Sequence, residues 1–226
     1  MNAPTERPSP NHNARPEGVA IDMLILHYTG MVSGEAALER LCDSEAKVSS
    51  HYLVEEDGAV FRLVPEDRRA WHAGVSYWAG ETDINGRSIG VEIVNPGHEF
   101  GYRPFPGAQM AAVTDLCLDI LSRHPIPPQR VLGHSDVAPD RKQDPGELFD
   151  WRGLADAGIG VWPKNNEGAA PSLETVRELL TAIGYNPVLP LDVVVSAFQR
   201  HFRPGRVDGV PDEETMALLA ACAAMS

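Results

Sequence analysis

Short apolar segments of strand length alternate with longer segments of helical periodicity between residues 20 and 163. Residues 21–26 form the first apolar run, which ends at His27, and residues 88–94 form a second. Apolar residues recur at helical spacing over residues 37–42 and 109–124. This alternation predicts an α/β domain with one mixed central sheet flanked by helices.

Changes in composition divide the chain into four parts. Residues 1–19 are rich in proline, asparagine and arginine and contain no apolar run, so we expect a disordered N-terminal arm. The α/β domain covers residues 20–163, and a polar linker over 164–170 follows it. In residues 171–226 the pattern is purely helical, which predicts a small separate domain of three helices.

The charge balance argues against two classes of partner. The chain of 226 residues carries 32 acidic against 19 basic side chains, a formal net charge of -13. Nucleic acids and anionic membrane surfaces both attract clustered positive charge. We therefore expect no nucleic-acid binding and no membrane insertion, and the sequence leaves the oligomeric state open with a monomer favoured.

The N-terminal residues show neither an export signal nor a cysteine placed for a lipid anchor. This absence predicts a cytoplasmic protein. A trimmed N terminus would instead be compatible with a periplasmic or outer-membrane-associated protein.

Three potential metal ligands stand near the ends of predicted strands. His27 closes the first strand, and His134 and Asp144 lie in the segments 133–139 (GHSDVAP) and 141–146 (RKQDPG). Hydrolytic zinc sites use three His, Asp or Glu ligands and leave a fourth position for water. The spacing alone leaves open that each histidine is structural or solvated.

Two charged residues are candidates for catalysis. Glu92 is a carboxylate in an otherwise apolar strand, where an unpaired charge is costly. It is either a salt-bridged core acid or a general base with a raised pKa. Lys142 either stabilises an oxyanion or is a solvated loop lysine, and the residues alone do not decide between these roles.

Taken together, these motifs resemble the AmpD/AmiD zinc amidases. These are the N-acetylmuramoyl-L-alanine amidases, which are related to peptidoglycan recognition proteins and to the phage T7 lysozyme. The resemblance covers roughly residues 20–163 and rests on the following positions: His27, residues 71–74 (WHAG), Asn85, residues 88–92 (SIGVE), residues 133–139 and residues 141–146. Residues 158–163 and the appended helices bring the chain closer to AmiD than to AmpD.

The resemblance implies an enzyme that hydrolyses the amide bond between the lactyl group of N-acetylmuramic acid and L-alanine. Its substrate would be peptidoglycan or (anhydro)muropeptides, for recycling or turnover of the cell wall. One Zn²⁺ would be held by His27, His134 and Asp144, with Glu92 as the proton carrier and Lys142 as an oxyanion stabiliser. Four further residues would border the substrate groove: Trp71, His72, Asn85 and Tyr28.

Residues 197–204 resemble the small peptidoglycan-binding domain of many wall hydrolases. Phe198 and Phe202 are spaced as core residues of one helix, so a wall-binding role rests on the resemblance. The alternative function for the whole chain is a non-catalytic peptidoglycan receptor on the same fold. The presence of all three ligands together with Glu92 and Lys142 favours the enzyme.

Overall fold

The computed structural model describes residues 3–163 and 173–225. Six strands form the central sheet: β1 (Thr5–Glu6), β3 (Met23–Tyr28), β4 (Tyr52–Val54), β5 (Val60–Arg62), β7 (Ser88–Ile93) and β8 (Val131–Gly133). Two further strands, β2 (His12–Ala14) and β6 (Arg68–Ala70), form a small antiparallel sheet. The strand order of the central sheet is β1-β5-β4-β7-β3-β8, and all its pairings are parallel except β4 with β5. The predicted mixed sheet is confirmed.

Helices cover both faces of this sheet. Their bounds are α1 (Gly34–Cys42), α2 (Ile84–Arg87), α3 (Gly97–Phe100), α4 (Gly107–Arg123), α5 (His134–Val137), α6 (Trp151–Asp156), α7 (Leu173–Ile183), α8 (Leu191–Phe202) and α9 (Glu213–Ala223). A short 3-10 helix spans Pro128–Arg130. Among the helices in the described ranges, none is both long and apolar enough to cross a membrane.

Alternation along the strands gathers polar residues on one face of the sheet. The leucines of β3 pack against α4, whereas His27 points to the opposite face. β7 pairs with β3 in parallel register, so Glu92 lies beside His27 and Gly90 beside Ile25. Ser88 shares this face, because it is two residues before Gly90 on the same strand.

The C-terminal helices α7, α8 and α9 pack on the face that carries His27. Phe198 is fully buried and Phe202 nearly so, in a hydrophobic cluster that also contains Met23 and Ile25 of β3. The prediction that both phenylalanines are core residues is confirmed. The three helices therefore share one core with the sheet, and the predicted linker 164–170 lies outside the described residues.

The prediction of a disordered arm over residues 1–19 is wrong for residues 3–19. β1 pairs with β5, and β2 pairs with β6. The guanidinium of Arg15 donates hydrogen bonds of 2.8 to 3.3 Å to four backbone carbonyls: those of Glu66, Asn85, Gly86 and Ser88. Composition does not show contacts between residues so distant in sequence, which explains the error.

Replacing Arg15 with alanine should lower the free energy of unfolding by roughly 2–3 kcal/mol, because four partly buried carbonyls lose a charged donor. Urea denaturation followed by circular dichroism would measure this loss. Arg7→Ala is the matched control, since Arg7 is an exposed arginine of the same arm that contacts Glu35 at 3.5 Å. The control should change stability by less than about 1 kcal/mol. Equal effects of the two substitutions would show that Arg15 does not anchor the arm.

Candidate metal and catalytic site

Two parallel strands bring the predicted histidine ligands together at one edge of the sheet. His27 lies near the end of β3, and β8 pairs with β3 in parallel. His134 is the first residue after β8 and begins α5. Asp144 follows in a loop whose path is fixed to α5, because its backbone oxygen accepts a hydrogen bond of 2.9 Å from the Ser135 nitrogen.

The three predicted ligands form a tight, buried group. Nδ1 of His27, Nδ1 of His134 and Oδ2 of Asp144 lie 3.0 Å from one another. The exposed fractions of the three residues are 1%, 3% and 6%, respectively. Within the described ranges, these three side chains form the group of potential ligands that lies close enough together to hold a metal ion.

The donor atoms of this group fit a zinc ion. Nε2 of His134 lies 3.0 Å from the carbonyl oxygen of Ala73 and donates to it, so the neutral ring carries a lone pair at Nδ1. A lone pair packed against a buried carboxylate is unfavourable without a proton or a cation between them. The 3.0 Å separations suit three bonds of the ~2.0–2.2 Å that zinc makes to nitrogen and oxygen.

The protonation states also suit metal ligands. Burial, with a further contribution from His134, lowers the pKa of His27 to about 4, so this ring is neutral at pH 7. Burial alone would raise the pKa of Asp144, but the adjacent side chains of His134 and His27 lower it well below its usual range. A neutral imidazole and an ionised carboxylate are the forms that bind metal.

Glu92 lies next to His27 on the neighbouring strand, with an unpaired carboxylate. Its Oε2 is buried and has no hydrogen-bond partner in the described part of the chain. Burial raises its pKa well above the usual value, Asp144 raises it further, and Lys142 lowers it. A salt-bridged core acid would have a close cationic partner, so this environment favours a group that accepts and releases a proton.

A cavity of about 440 Å³ opens over the ligand group, between α1 and α3. Its lining includes Tyr28, His72, Glu92 and Lys142, together with two of the three predicted ligands, His134 and Asp144. Lys142 is partly exposed, and its side chain belongs to the loop that also carries Asp144. The structure thus brings both predicted catalytic residues to the same space as the predicted ligands.

The four predicted substrate contacts lie in different surroundings. Tyr28 lines the cavity, and its hydroxyl is 2.9 Å from Nδ1 of His98. Trp71 is not among the lining residues, and its indole N–H donates to Asn13 of the N-terminal arm at 2.7 Å. Both ring nitrogens of His72 already contact protein atoms, and Asn85 is buried and is not among the lining residues. Substrate contact by these four residues stays a prediction.

Sequence reasoning missed Asp136, which connects the site to the C-terminal helices. Its exposed fraction is 1%. Oδ1 accepts a hydrogen bond of 2.7 Å from the Tyr185 hydroxyl, and Oδ2 lies 2.8 Å from Nδ1 of His201 and 2.7 Å from the Gly133 nitrogen. The sequence indicated only that Asp136 lies two residues after His134. Its partners Tyr185 and His201 lie 49 and 65 residues away in the chain, so sequence pattern could not identify them.

Known proteins resemble this chain over nearly its whole length. Residues 17–147 match the family described as N-acetylmuramoyl-L-alanine amidase. The chain is 39% identical over 228 residues to the N-acetylmuramoyl-L-alanine amidase AmiD of Escherichia coli (strain K12), covering 89% of this chain and 82% of AmiD. It is 35% identical over 161 residues to the 1,6-anhydro-N-acetylmuramyl-L-alanine amidase AmpD of the same organism, covering 64% of this chain and 86% of AmpD.

A solved structure agrees with the fold. The complex of E. coli AmiD with the substrate anhydro-N-acetylmuramic acid-L-Ala-D-γ-Glu-L-Lys superposes with a TM-score of 0.83 at 37% identity. The superposition covers 93% of this chain and 92% of that structure. The likeness therefore includes the C-terminal helices as well as the sheet that carries the candidate site.

Proposed function

The chain belongs to the N-acetylmuramoyl-L-alanine amidases, enzymes that hydrolyse the amide bond between N-acetylmuramic acid and L-alanine, and we propose that it does so with one Zn²⁺ held by His27, His134 and Asp144. The observation that carries this proposal is the convergence of three buried donor atoms at 3.0 Å beside an unpaired carboxylate. An unpaired buried carboxylate is costly, and neither a purely structural histidine cluster nor a non-catalytic receptor requires one.

When bound, Zn²⁺ would lower the pKa of a water molecule and polarise the scissile carbonyl. Glu92 takes a proton from the attacking water as the carbon–oxygen bond forms. The same carboxyl then delivers that proton to the nitrogen of L-alanine as the carbon–nitrogen bond breaks. Its raised pKa, caused by burial, keeps the proton available for this second transfer.

Lys142 stabilises the negative charge that develops on the carbonyl oxygen in the tetrahedral state. It lines the same cavity as Glu92, and its ammonium acts electrostatically on both Glu92 and His27. A positive charge inside a partly buried cavity acts more strongly on a developing oxyanion than the same charge in bulk solvent.

We infer that the cavity takes a muropeptide, a fragment of peptidoglycan with a sugar and a short stem peptide. The relative AmiD is known in complex with an anhydro-N-acetylmuramic acid tripeptide. Here the cavity combines the aromatic rings of Tyr28 and His98 with the cationic side chain of Arg40. Aromatic and polar groups in one cavity suit a ligand made of sugar and peptide.

Binding of the intact cell wall by α7, α8 and α9 stays a prediction. The two phenylalanines of the motif that suggests it are buried in the shared core. Any contact with the wall would therefore use the exposed faces of these helices.

Mass spectrometry of reaction products tests the proposed function. The full chain is incubated with a defined anhydromuropeptide and with the matching intact muropeptide, each with and without a zinc chelator. We expect free stem peptide from at least one substrate, its loss on chelation and its return on addition of Zn²⁺. The ratio of the two rates then distinguishes an enzyme of muropeptide recycling from one of wall turnover.

A folded, zinc-loaded chain that releases no stem peptide from either substrate would contradict the proposal. A binding measurement on the same samples would then separate the two remaining cases. Retained affinity for the muropeptide would indicate a receptor on the amidase fold, whereas no affinity would indicate that the substrate class is wrong.

A further inference from the structure

The two proposed histidine ligands each contact one of two consecutive residues, His72 and Ala73, through the Nε2 atom that faces away from the ligand group. The inference drawn from these contacts rests on the proposed zinc site. Nε2 of His27 lies 3.0 Å from Nδ1 of His72, and Nε2 of His134 lies 3.0 Å from the carbonyl oxygen of Ala73. Oδ1 of Asn85 accepts hydrogen bonds of 3.1 and 2.8 Å from the backbone nitrogens of His72 and Ala73. A buried amide thus fixes the segment against which both ligand rings are aligned.

Ser88 determines which nitrogen of His72 carries the proton. The Ser88 hydroxyl donates to the carbonyl oxygen of Ile84 at 2.6 Å, and its oxygen lies 3.1 Å from Nε2 of His72. A hydroxyl has one proton, so an oxygen that donates to Ile84 can act only as an acceptor towards His72. His72 therefore donates from Nε2, and Nδ1 of its neutral ring is an acceptor.

The same constraint passes to His27. Because Nδ1 of His72 accepts, Nε2 of His27 donates, and the lone pair of the neutral His27 ring is at Nδ1. That atom lies 3.0 Å from Oδ2 of Asp144 in the ligand group. If Nδ1 of His72 carried the proton instead, Nε2 of His27 would have to accept it, and the proton of the neutral His27 ring would be on Nδ1. There it would donate to Asp144 and block the binding of a metal ion.

β7 is shaped to hold the His72 ring in this position. A Cβ atom at Gly90 would lie 2.5 Å from Cγ of His72, so the ring occupies the space that any other residue would fill. Ser88, Gly90 and Glu92 all point to one face of this strand. In order along the strand they supply the hydrogen-bond acceptor, the space for the ring and the proposed base.

We propose that Ser88 and His72 are positioning residues that hold His27 in the tautomer whose Nδ1 binds Zn²⁺. We name this chain of hydrogen bonds, from the Ile84 carbonyl through Ser88 and His72 to His27, the histidine relay. His72 acts through His27 on the metal rather than as a substrate contact. Carboxylates and carbonyls are the usual partners of metal-bound histidines, and here a second histidine with its own serine takes that place.

The affinity of the full chain for Zn²⁺, measured by competition with a chromophoric chelator, tests the histidine relay. Ser88→Ala removes the acceptor of His72, and we expect the Kd for Zn²⁺ to rise roughly 10- to 100-fold, the range typical of such partners. Ser50→Ala is the matched control, because Ser50 is equally buried and its hydroxyl donates to the Tyr52 carbonyl at 2.8 Å. The control should leave the Kd unchanged.

A second substitution separates the relay from a merely structural role of Ser88. In His72→Asn, the side-chain Oδ1 takes the place of Nδ1 and still accepts from His27, but the contact with Ser88 is lost. Adding Ser88→Ala to His72→Asn should therefore weaken Zn²⁺ binding no further. An equal loss of affinity in both backgrounds would overturn the proposal.

Nitrogen-15 NMR of the histidine rings in the zinc-loaded protein gives an independent readout. We expect the His72 proton on Nε2, and a proton on Nδ1 would contradict the relay. Tight Zn²⁺ binding by the wild type with no effect of Ser88→Ala would make the relay alone wrong. A wild-type chain with no affinity for Zn²⁺ would overturn the proposed function together with the relay.

Discussion

Replacing Glu92 with glutamine is expected to lower kcat roughly 100- to 10,000-fold, the contribution typical of a positioned general acid–base group. Glutamine keeps the size of the side chain but cannot take a proton from water. The three ligand atoms belong to other residues, so the zinc content of the variant should equal that of the wild type. Steady-state kinetics on a muropeptide, with zinc measured by elemental analysis, would check both expectations.

The stability of the same variant separates the two interpretations of Glu92. Oε2 is buried without a hydrogen-bond partner in the described residues, so loss of the charge should leave the Tm unchanged or raise it. A core acid that stabilised the fold through a salt bridge would instead lower the Tm when replaced. Stability lost at a functional position is a common cost of catalysis.

Glu55→Gln is the matched control for this substitution. Burial raises the pKa of Glu55 as well, but this residue lies at the end of β4 and is not among those that line the cavity. Its replacement should leave kcat unchanged. A kcat for Glu92→Gln close to that of the control, in a protein with full zinc content, would rule out Glu92 as the proton carrier.

The sequence pointed to the candidate ligands and the candidate base for a physical reason, although only the resemblance to the zinc amidases assigned their roles. His27 ends an apolar strand, and Glu92 interrupts another, so each stands out against its neighbours. Parallel pairing of the two strands then places them side by side in register. Period-two alternation on β7 also put Ser88 on the same face as Glu92, although its partner His72 could not be read from that pattern.

The contacts that the sequence did not predict are hydrogen bonds between distant polar residues. Arg15 lies in a segment whose composition is typical of disorder, yet its guanidinium binds backbone carbonyls up to 73 residues away. Trp71, expected at the substrate groove, donates to Asn13 of the same arm. Periodicity reports which side chains face a core, and it contains no information on the partners of single polar groups.

The C-terminal helices illustrate the same limit. Their number and amphipathic pattern were predicted, and three helices are present between residues 173 and 225. Their attachment was not predicted, because it depends on Asp136, Tyr185 and His201, which are far apart in sequence. The ring of His201 also stacks on Trp151 of α6 with centroids 3.9 Å apart, so the contact between the C-terminal helices and the rest of the domain is both polar and aromatic.

Replacing Asp136 with alanine should therefore lower the free energy of unfolding by about 3–5 kcal/mol, as is typical when one partner of a buried charged network is removed. Three donors would lose their acceptor in a buried site: the Tyr185 hydroxyl, the His201 ring and the Gly133 nitrogen. Because His134 begins the short helix that contains Asp136, the affinity for Zn²⁺ should fall as well. Urea denaturation and chelator competition on the full chain would measure the two effects.

Asp140→Ala provides the control, since Asp140 is an exposed aspartate shortly after α5 and its replacement should change stability by no more than about 0.5 kcal/mol. Asp136→Asn refines the test, because the amide keeps one acceptor oxygen and should destabilise the protein less than alanine does. A cycle that combines Asp136→Asn with Tyr185→Phe measures the coupling across the contact. If Asp136→Ala unfolded at the same urea concentration as Asp140→Ala, the C-terminal helices would be held by apolar packing alone. The proposed zinc ligand His134 on α5 would then be positioned independently of them.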